Sequence, residues 1–229
     1  MTVPDPSLGS GMTSFPGIAR MAGRGSRLAT IVSAFAFAFS GVSFYETVLK
    51  RPALAMYVPP VMHYARDSGG DIEVFSLPVT IANDGARTGT VLSLELEVDN
   101  LAEGAEPKTK RYYSAYLGEH PVNADAPNRA FAPLSIAGRS SFSETVRFYP
   151  EGNPFPKLVQ DKGEFRFRLR MTMAGPGKPD VFDWFLHSEP KPLEFQRSLP
   201  WISDQLLGFR RMTIAMHDAN WQPTASPIK

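Results

Sequence analysis

The sequence predicts an all-β protein, a two-sheet antiparallel β-sandwich preceded by one N-terminal transmembrane α-helix. Three observations carry that expectation. Residues 28–45 form an eighteen-residue run without a charge. From Met56 onward, short segments alternate apolar and polar residues with the period of a half-buried strand. Gly-, Pro- and Asn-rich turns separate those segments.

The uncharged run is long enough to cross a hydrocarbon core of ~30 Å at ~1.5 Å per residue. Its alternating Ala34-Phe-Ala-Phe-Ala-Phe39 would suit a strand in water. A lone strand in lipid leaves its backbone groups without partners, so helix is expected. The assigned span is 28–49, a retained signal anchor, ended by Lys50-Arg51-Pro52. A cleaved signal peptide is the rival, but the A-x-A sites at Ala36 and Ala53 are badly placed for it. Arg20, Arg24 and Arg27 precede the span against Lys50 and Arg51 after it. That bias places the N-terminus in the cytoplasm and the domain outside. In a bacterium this is a single-pass inner-membrane protein with its main domain in the periplasm. Residues 1–27, rich in Gly, Ser and Pro, read as a disordered tail.

Residues 50–200 are assigned to the sandwich. The clearest strands hold Phe75, Leu77, Val79 and Ile81; Leu92, Leu94, Leu96 and Val98; and Phe165, Phe167, Leu169 and Met171. Weaker strands are expected at 56–65, 109–117, 141–149, 180–187 and 192–198. Residues 201–229 form a C-terminal extension, either a short helix capped by Ser203 or a closing strand.

Composition removes several function classes. Lys and Arg number 24 against 23 Asp and Glu, so the basic excess of a nucleic-acid binder is missing. With no Cys, disulfides, thiolate zinc sites and Cys nucleophiles are excluded. Mean hydropathy is −0.18, which excludes a polytopic membrane protein.

Two longer stretches point further. Leu77-Pro-Val-Thr-Ile-Ala-Asn83-Asp-Gly85 and the strand after it resemble the second and third strands of bacterial immunoglobulin-like domains. Phe131-Ala-Pro-Leu-Ser-Ile-Ala-Gly138 and the strand after it resemble a later element of the same domains. The whole chain resembles uncharacterised bacterial single-span membrane proteins with an immunoglobulin-like extracytoplasmic domain. The resemblance implies adhesion, scaffolding or assembly and carries no catalytic residues.

Candidate sites follow from side-chain chemistry. Met62-His63 and Met216-His217 set thioethers beside imidazoles, a donor set that suits Cu(I); the plain alternative is core methionine and segment-end histidine. Arg166, Arg168 and Arg170 share one strand face, fitted to an anionic partner or to an ordinary solvated face. Glu95 and Glu97 share a polar strand face and are expected to be solvated. Ala34, Ala38 and Gly41 make a small-residue stripe for helix packing, with itself or another membrane subunit. Neither a G-x-S-x-G elbow nor a phosphate loop is present. The expected function is therefore non-enzymatic, without a cofactor. It is an anchored interaction module, accessory subunit or assembly factor whose partner is a membrane or envelope protein, with homo-oligomers as a further option. The alternative is an extracytoplasmic ligand- or copper-binding module.

Overall fold

The computed structural model describes residues 18–66, 72–119, 128–175, 191–200 and 213–218. The chain divides into two compact units, residues 1–47 and 48–229.

In the first unit, helix α1 (Ile18–Phe44) continues into one π-helical turn, Tyr45–Leu49. It reaches back into residues that composition had assigned to the tail; residues 1–17 lie outside the described part. The segment Arg27–Leu49 is the one described helix long and apolar enough to cross a membrane, with mean hydropathy 1.7. Phe35, Phe37 and Phe39 are all exposed. Its apolar residues thus face outward all round, a pattern that suits lipid rather than a core. Thr47 Oγ1 donates to Ser43 O at 2.7 Å, satisfying a carbonyl where the last turn loosens.

The second unit is built of β1 (Leu54–Tyr57), β2 (Val61–Arg66), β3 (Glu73–Asn83), β4 (Gly89–Asn100), β5 (Thr109–Leu117), β6 (Arg129–Ala130), β7 (Leu134–Ile136), β8 (Ser140–Pro150), β9 (Gly163–Met173), β10 (Leu193–Leu199) and β11 (Thr213–His217). All pairings are antiparallel, in the order β5-β8-β3-β2-β11-β10-β9-β4, and β4 pairs back onto β5. That last pairing turns the sheet into an eight-stranded barrel. The expected immunoglobulin-like sandwich is thereby overturned. Alternation reports that a strand has a wet and a dry face; it does not report whether the sheet ends in two edges or meets itself. The turn at Asn83-Asp84-Gly85 was expected to let the next strand continue the sheet. Instead β3 pairs with β1, β2 and β8, while β4 pairs with β5, β7 and β9. The expected strand at 180–187 and a helix from Ser203 fall outside the described residues; within the extension, β11 supplies a closing strand.

Irregularities in the strands let the barrel close. Between the pairs Tyr57–Thr80 and His63–Ser76, β1 and β2 advance six residues while β3 advances four. β1 and β2 are thus one strand broken at Pro59-Pro60, where neither residue has an N–H to donate. Bulges interrupt β4 between Val91 and Ser93 and β5 between Ser114 and Tyr116. Such bulges bend strands at barrel rims. β4 and β5 pair only from Glu95 to Asp99. Beyond that they splay, and the segment 129–136 fills the gap, with β6 on β5 and β7 on β4.

Side chains fill the lumen. Phe75 lies edge-on to Tyr112 at 5.0 Å and to Phe167 at 5.5 Å. β3 and β9 stand opposite each other in the ring, so the Phe75–Phe167 contact crosses its centre. At the β3 rim, Asn83 ties three segments together: Oδ1 accepts from Ala53 N and Gly85 N, and Nδ2 donates to Arg87 O, Ile136 O and Ala137 O. A Cβ on Gly85 would stand 1.9 Å from Arg51 O, so only glycine fits that crossing.

The loop 151–162 closes the other rim. Glu73, at 0% exposure, accepts from Tyr64 Oη (3.1 Å), Tyr112 Oη (3.1 Å), Leu158 N (2.9 Å) and Val159 N (2.8 Å). Lys110 Nζ donates to Pro154 O and Pro156 O, and Asn100 Nδ2 to Leu158 O. Burial first, and the Glu73 charge second, hold both tyrosines well above their ordinary pKa of 10.0. A group whose folded pKa is raised contributes stability that is whole below its unfolded pKa and lost above it. Stability of the barrel is therefore expected to begin falling as pH rises past 10.0. A pH series of denaturant melts, with phenolate absorbance as the second readout, checks this. Glu73→Ala leaves four buried donors without an acceptor. At roughly 1–3 kcal/mol per orphaned group, it is expected to lower unfolding free energy by at least ~3 kcal/mol in denaturant titrations.

Candidate functional site

The interior carboxylate was missed by sequence reading, although a signal existed. Glu73 stands two residues before Phe75, in phase with Leu77, Val79 and Ile81, so the alternation that defines β3 already turns it inward. Its two oxygens accept four hydrogen bonds, which fills a carboxylate's acceptor capacity. Two of the donors are main-chain groups of the rim loop. The arrangement holds a loop and leaves no lone pair directed at a substrate.

Polar chemistry that is open to a partner sits on the outer face. On β4 and β9, Glu97 lies opposite Arg168 and Asp99 opposite Arg166. Arg168 spends its whole fork on carboxylates: Nη1 on Glu97, Nη2 on Asp99 at 2.8 Å, and Nε near Glu194 at 3.3 Å. Arg111 Nε adds contacts to Glu97 (3.5 Å) and Glu95 (3.7 Å), and Arg170 Nη2 reaches Glu97 at 4.0 Å. Glu97 is 7% exposed, so this carboxylate is not the solvated group that alternation implied. Of the three arginines expected to meet an anionic partner, Arg168 is engaged internally and Arg170 is exposed with a long contact. Arg166 makes no ion pair among the described residues.

The Met/His candidates are separated by the same alternation that suggested them. Met62 and Met216 are direct partners on β2 and β11, both 0% exposed and turned into the barrel. His63 and His217 follow them in sequence and therefore point outward. The structure does not bring the four together around one ion. No group of three or more His, Asp or Glu side chains able to hold a metal occurs among the described residues. The other two histidines of the chain, His120 and His187, lie outside the described residues. Ala34, Ala38 and Gly41 are exposed on α1, and a Cβ on Gly41 would meet nothing within 4 Å.

Two further buried arginines were also missed. Arg197 is in phase with Leu193, Phe195 and Leu199 and turns inward. It donates to Pro59 O at 2.8 Å and to Gln196 O at 2.6 Å, and lies 3.4 Å from Asp218. Arg147 is out of phase with Val146 and Phe148, which places it on the outer face, yet it is only 2% exposed.

With this geometry in view, comparison with known protein families and with curated proteins finds no match to the chain.

The ionic lattice is expected to respond to Arg168 far more than to Arg166. Arg168→Ala leaves the buried Glu97 carboxylate with only the longer Arg111 and Arg170 contacts and should cost about 2 kcal/mol, within the range for charged hydrogen bonds. Arg166→Ala should stay within about 0.5 kcal/mol. Paired denaturant melts of the two variants decide the matter.

Proposed function

We propose that this chain is a membrane-anchored, non-enzymatic interaction module: an accessory subunit or assembly factor that presents a closed barrel to another membrane or envelope protein. The observation that carries the reading is the filled lumen. Phe75 and Phe167, from strands on opposite sides of the ring, touch at 5.5 Å. A small barrel packed in this way works as a scaffold, whereas ligand-carrying barrels keep their centre open. Recognition then falls to the outer face, where Tyr113, Tyr116 and Tyr149 cluster with Arg147. Those residue types concentrate binding energy at protein interfaces.

The apolar segment Arg27–Leu49 supplies the anchor in this reading. The arginines before it favour an N-terminus in the cytoplasm. The proposed setting is the bacterial inner membrane, single-pass, with the barrel in the periplasm. Partners are then other membrane or envelope proteins.

The test is co-purification of the full chain from native membranes in mild detergent, followed by mass spectrometry. Near-stoichiometric membrane partners, lost when Tyr113 and Tyr149 are changed to Ser, are the expected outcome. A chain that extracts alone, or partners unaffected by those changes, would defeat the assignment of the outer face.

A further inference from the structure

On the outer face of the barrel, the strand registers align four side chains as direct neighbours. His63 on β2 is opposite Ser76 on β3, Ser76 is opposite Arg147 on β8, and Arg147 is opposite Tyr116 on β5. Adjacent strands lie about 4.8 Å apart, so His63, Ser76 and Arg147 fall within about 10 Å of one another. All three are out of phase with Phe75, Leu77 and Phe148, whose side chains fill the lumen.

Two members of the row have unmet donors. Arg147 is 2% exposed and has no carboxylate within ion-pair distance among the described residues. Nη2 donates to Asn128 Oδ1 at 2.8 Å, and the guanidinium carbon lies 4.9 Å from the Tyr116 ring centroid. Nε, buried, finds no acceptor. Ser76, its register partner, is 3% exposed, and Oγ is equally without a hydrogen bond. A guanidinium withdrawn from water without an anion is unfavourable. The same barrel shows the ordinary solution elsewhere: Arg168 meets carboxylates and Arg129 meets Glu144. The groups above and below the row on this face, Val74, Pro78, Thr145 and Tyr149, include no acid that would repel an anion. His63, Thr145 and Tyr116 are half-buried, so the row meets solvent at its flanks.

We infer that this row is an oxyanion site that takes a phosphate group. Arg147 offers Nε–H and an adjacent Nη–H as a parallel fork, the geometry that matches two oxygens of one phosphate. Ser76 Oγ–H donates to a third oxygen from the next strand, and the His63 imidazole stands beyond it. Donors set side by side on one face by three adjacent strands match the several oxygens of a tetrahedral group. The site lies outside the lumen; it shares Arg147 and Tyr116 with the tyrosine cluster of the proposed partner surface, and its test reads phosphate binding rather than co-purification. Its phosphate could be free or part of a lipid headgroup.

The experiment uses the full chain in a non-ionic detergent, with thermal melting and phosphorus NMR as readouts. One arm titrates inorganic phosphate against chloride at matched pH and ionic strength. The other titrates short-chain phosphatidic acid against the corresponding diacylglycerol. A saturable rise in melting temperature in either arm, with broadening of the phosphorus signal, is expected, and the responding arm identifies the source. Ser76→Ala should weaken the effect about fivefold, the worth of one neutral hydrogen bond. Arg147→Met should weaken it more than about tenfold, as for a charge-assisted fork. Should Arg147→Met fail to fold, Ser76→Ala alone decides. No saturable response in either arm overturns the site, as does a response that Ser76→Ala leaves unchanged.

Discussion

The barrel depends on one buried carboxylate. Glu73 lies at the start of β3 with no exposed surface, and it gathers β2, β5 and the rim loop around itself through Tyr64, Tyr112, Leu158 and Val159. A charge taken out of water is tolerable only when its acceptor positions are occupied. Each donor therefore constrains the element that carries it. The two tyrosines fix where neighbouring strands stand relative to β3. The main-chain N–H groups of Leu158 and Val159 draw the loop across the opening and bury both side chains. Above this centre, Tyr64, Tyr112 and Phe167 pack tilted or edge-on against Phe75, so the polar rim and the apolar lumen share the same residues.

Closure of the ring changes what the outer face is for. An open sandwich has edge strands to protect; here the backbone edges of the ring are spent on closure, and specificity must be carried by side chains. Three arginines, two of them buried, show three ways of placing a guanidinium on such a scaffold. Arg168 neutralises acids on neighbouring strands. Arg197 turns inward and is held largely by main-chain carbonyls, and burial lowers its pKa from the usual arginine range. Arg147 has an amide and an aromatic ring but no acid among the described residues. These environments follow from register, since the nearest strand neighbour decides which charge a side chain meets.

Much of the strand content was legible from alternation. The segment expected at 109–117 is β5 itself, 141–149 falls within β8, and 192–198 nearly coincides with β10. The candidate sites were less legible. Met62 and His63, adjacent in sequence, were read as one donor pair, but a strand sends neighbours to opposite faces. Glu97 was read as solvated because it lies in the polar phase of β4. Arg111 and Arg168, from β5 and β9 on either side, bury it, and those neighbours are remote in sequence.

The sequence by itself determined local character: an apolar helix near the N-terminus and strands with one dry face. Those properties depend on periods of a few residues, so they are written into short windows; the strand expected over 56–65 is instead two strands, Leu54–Tyr57 and Val61–Arg66, parted at Pro59-Pro60. Only the tertiary structure decided that β4 returns to β5, that Glu73 meets two tyrosines and a distant loop, and that Ser76 lies beside Arg147. Each of these joins residues far apart in the chain. Their pairing is set by shear and packing over the whole ring, and no window of sequence contains that information.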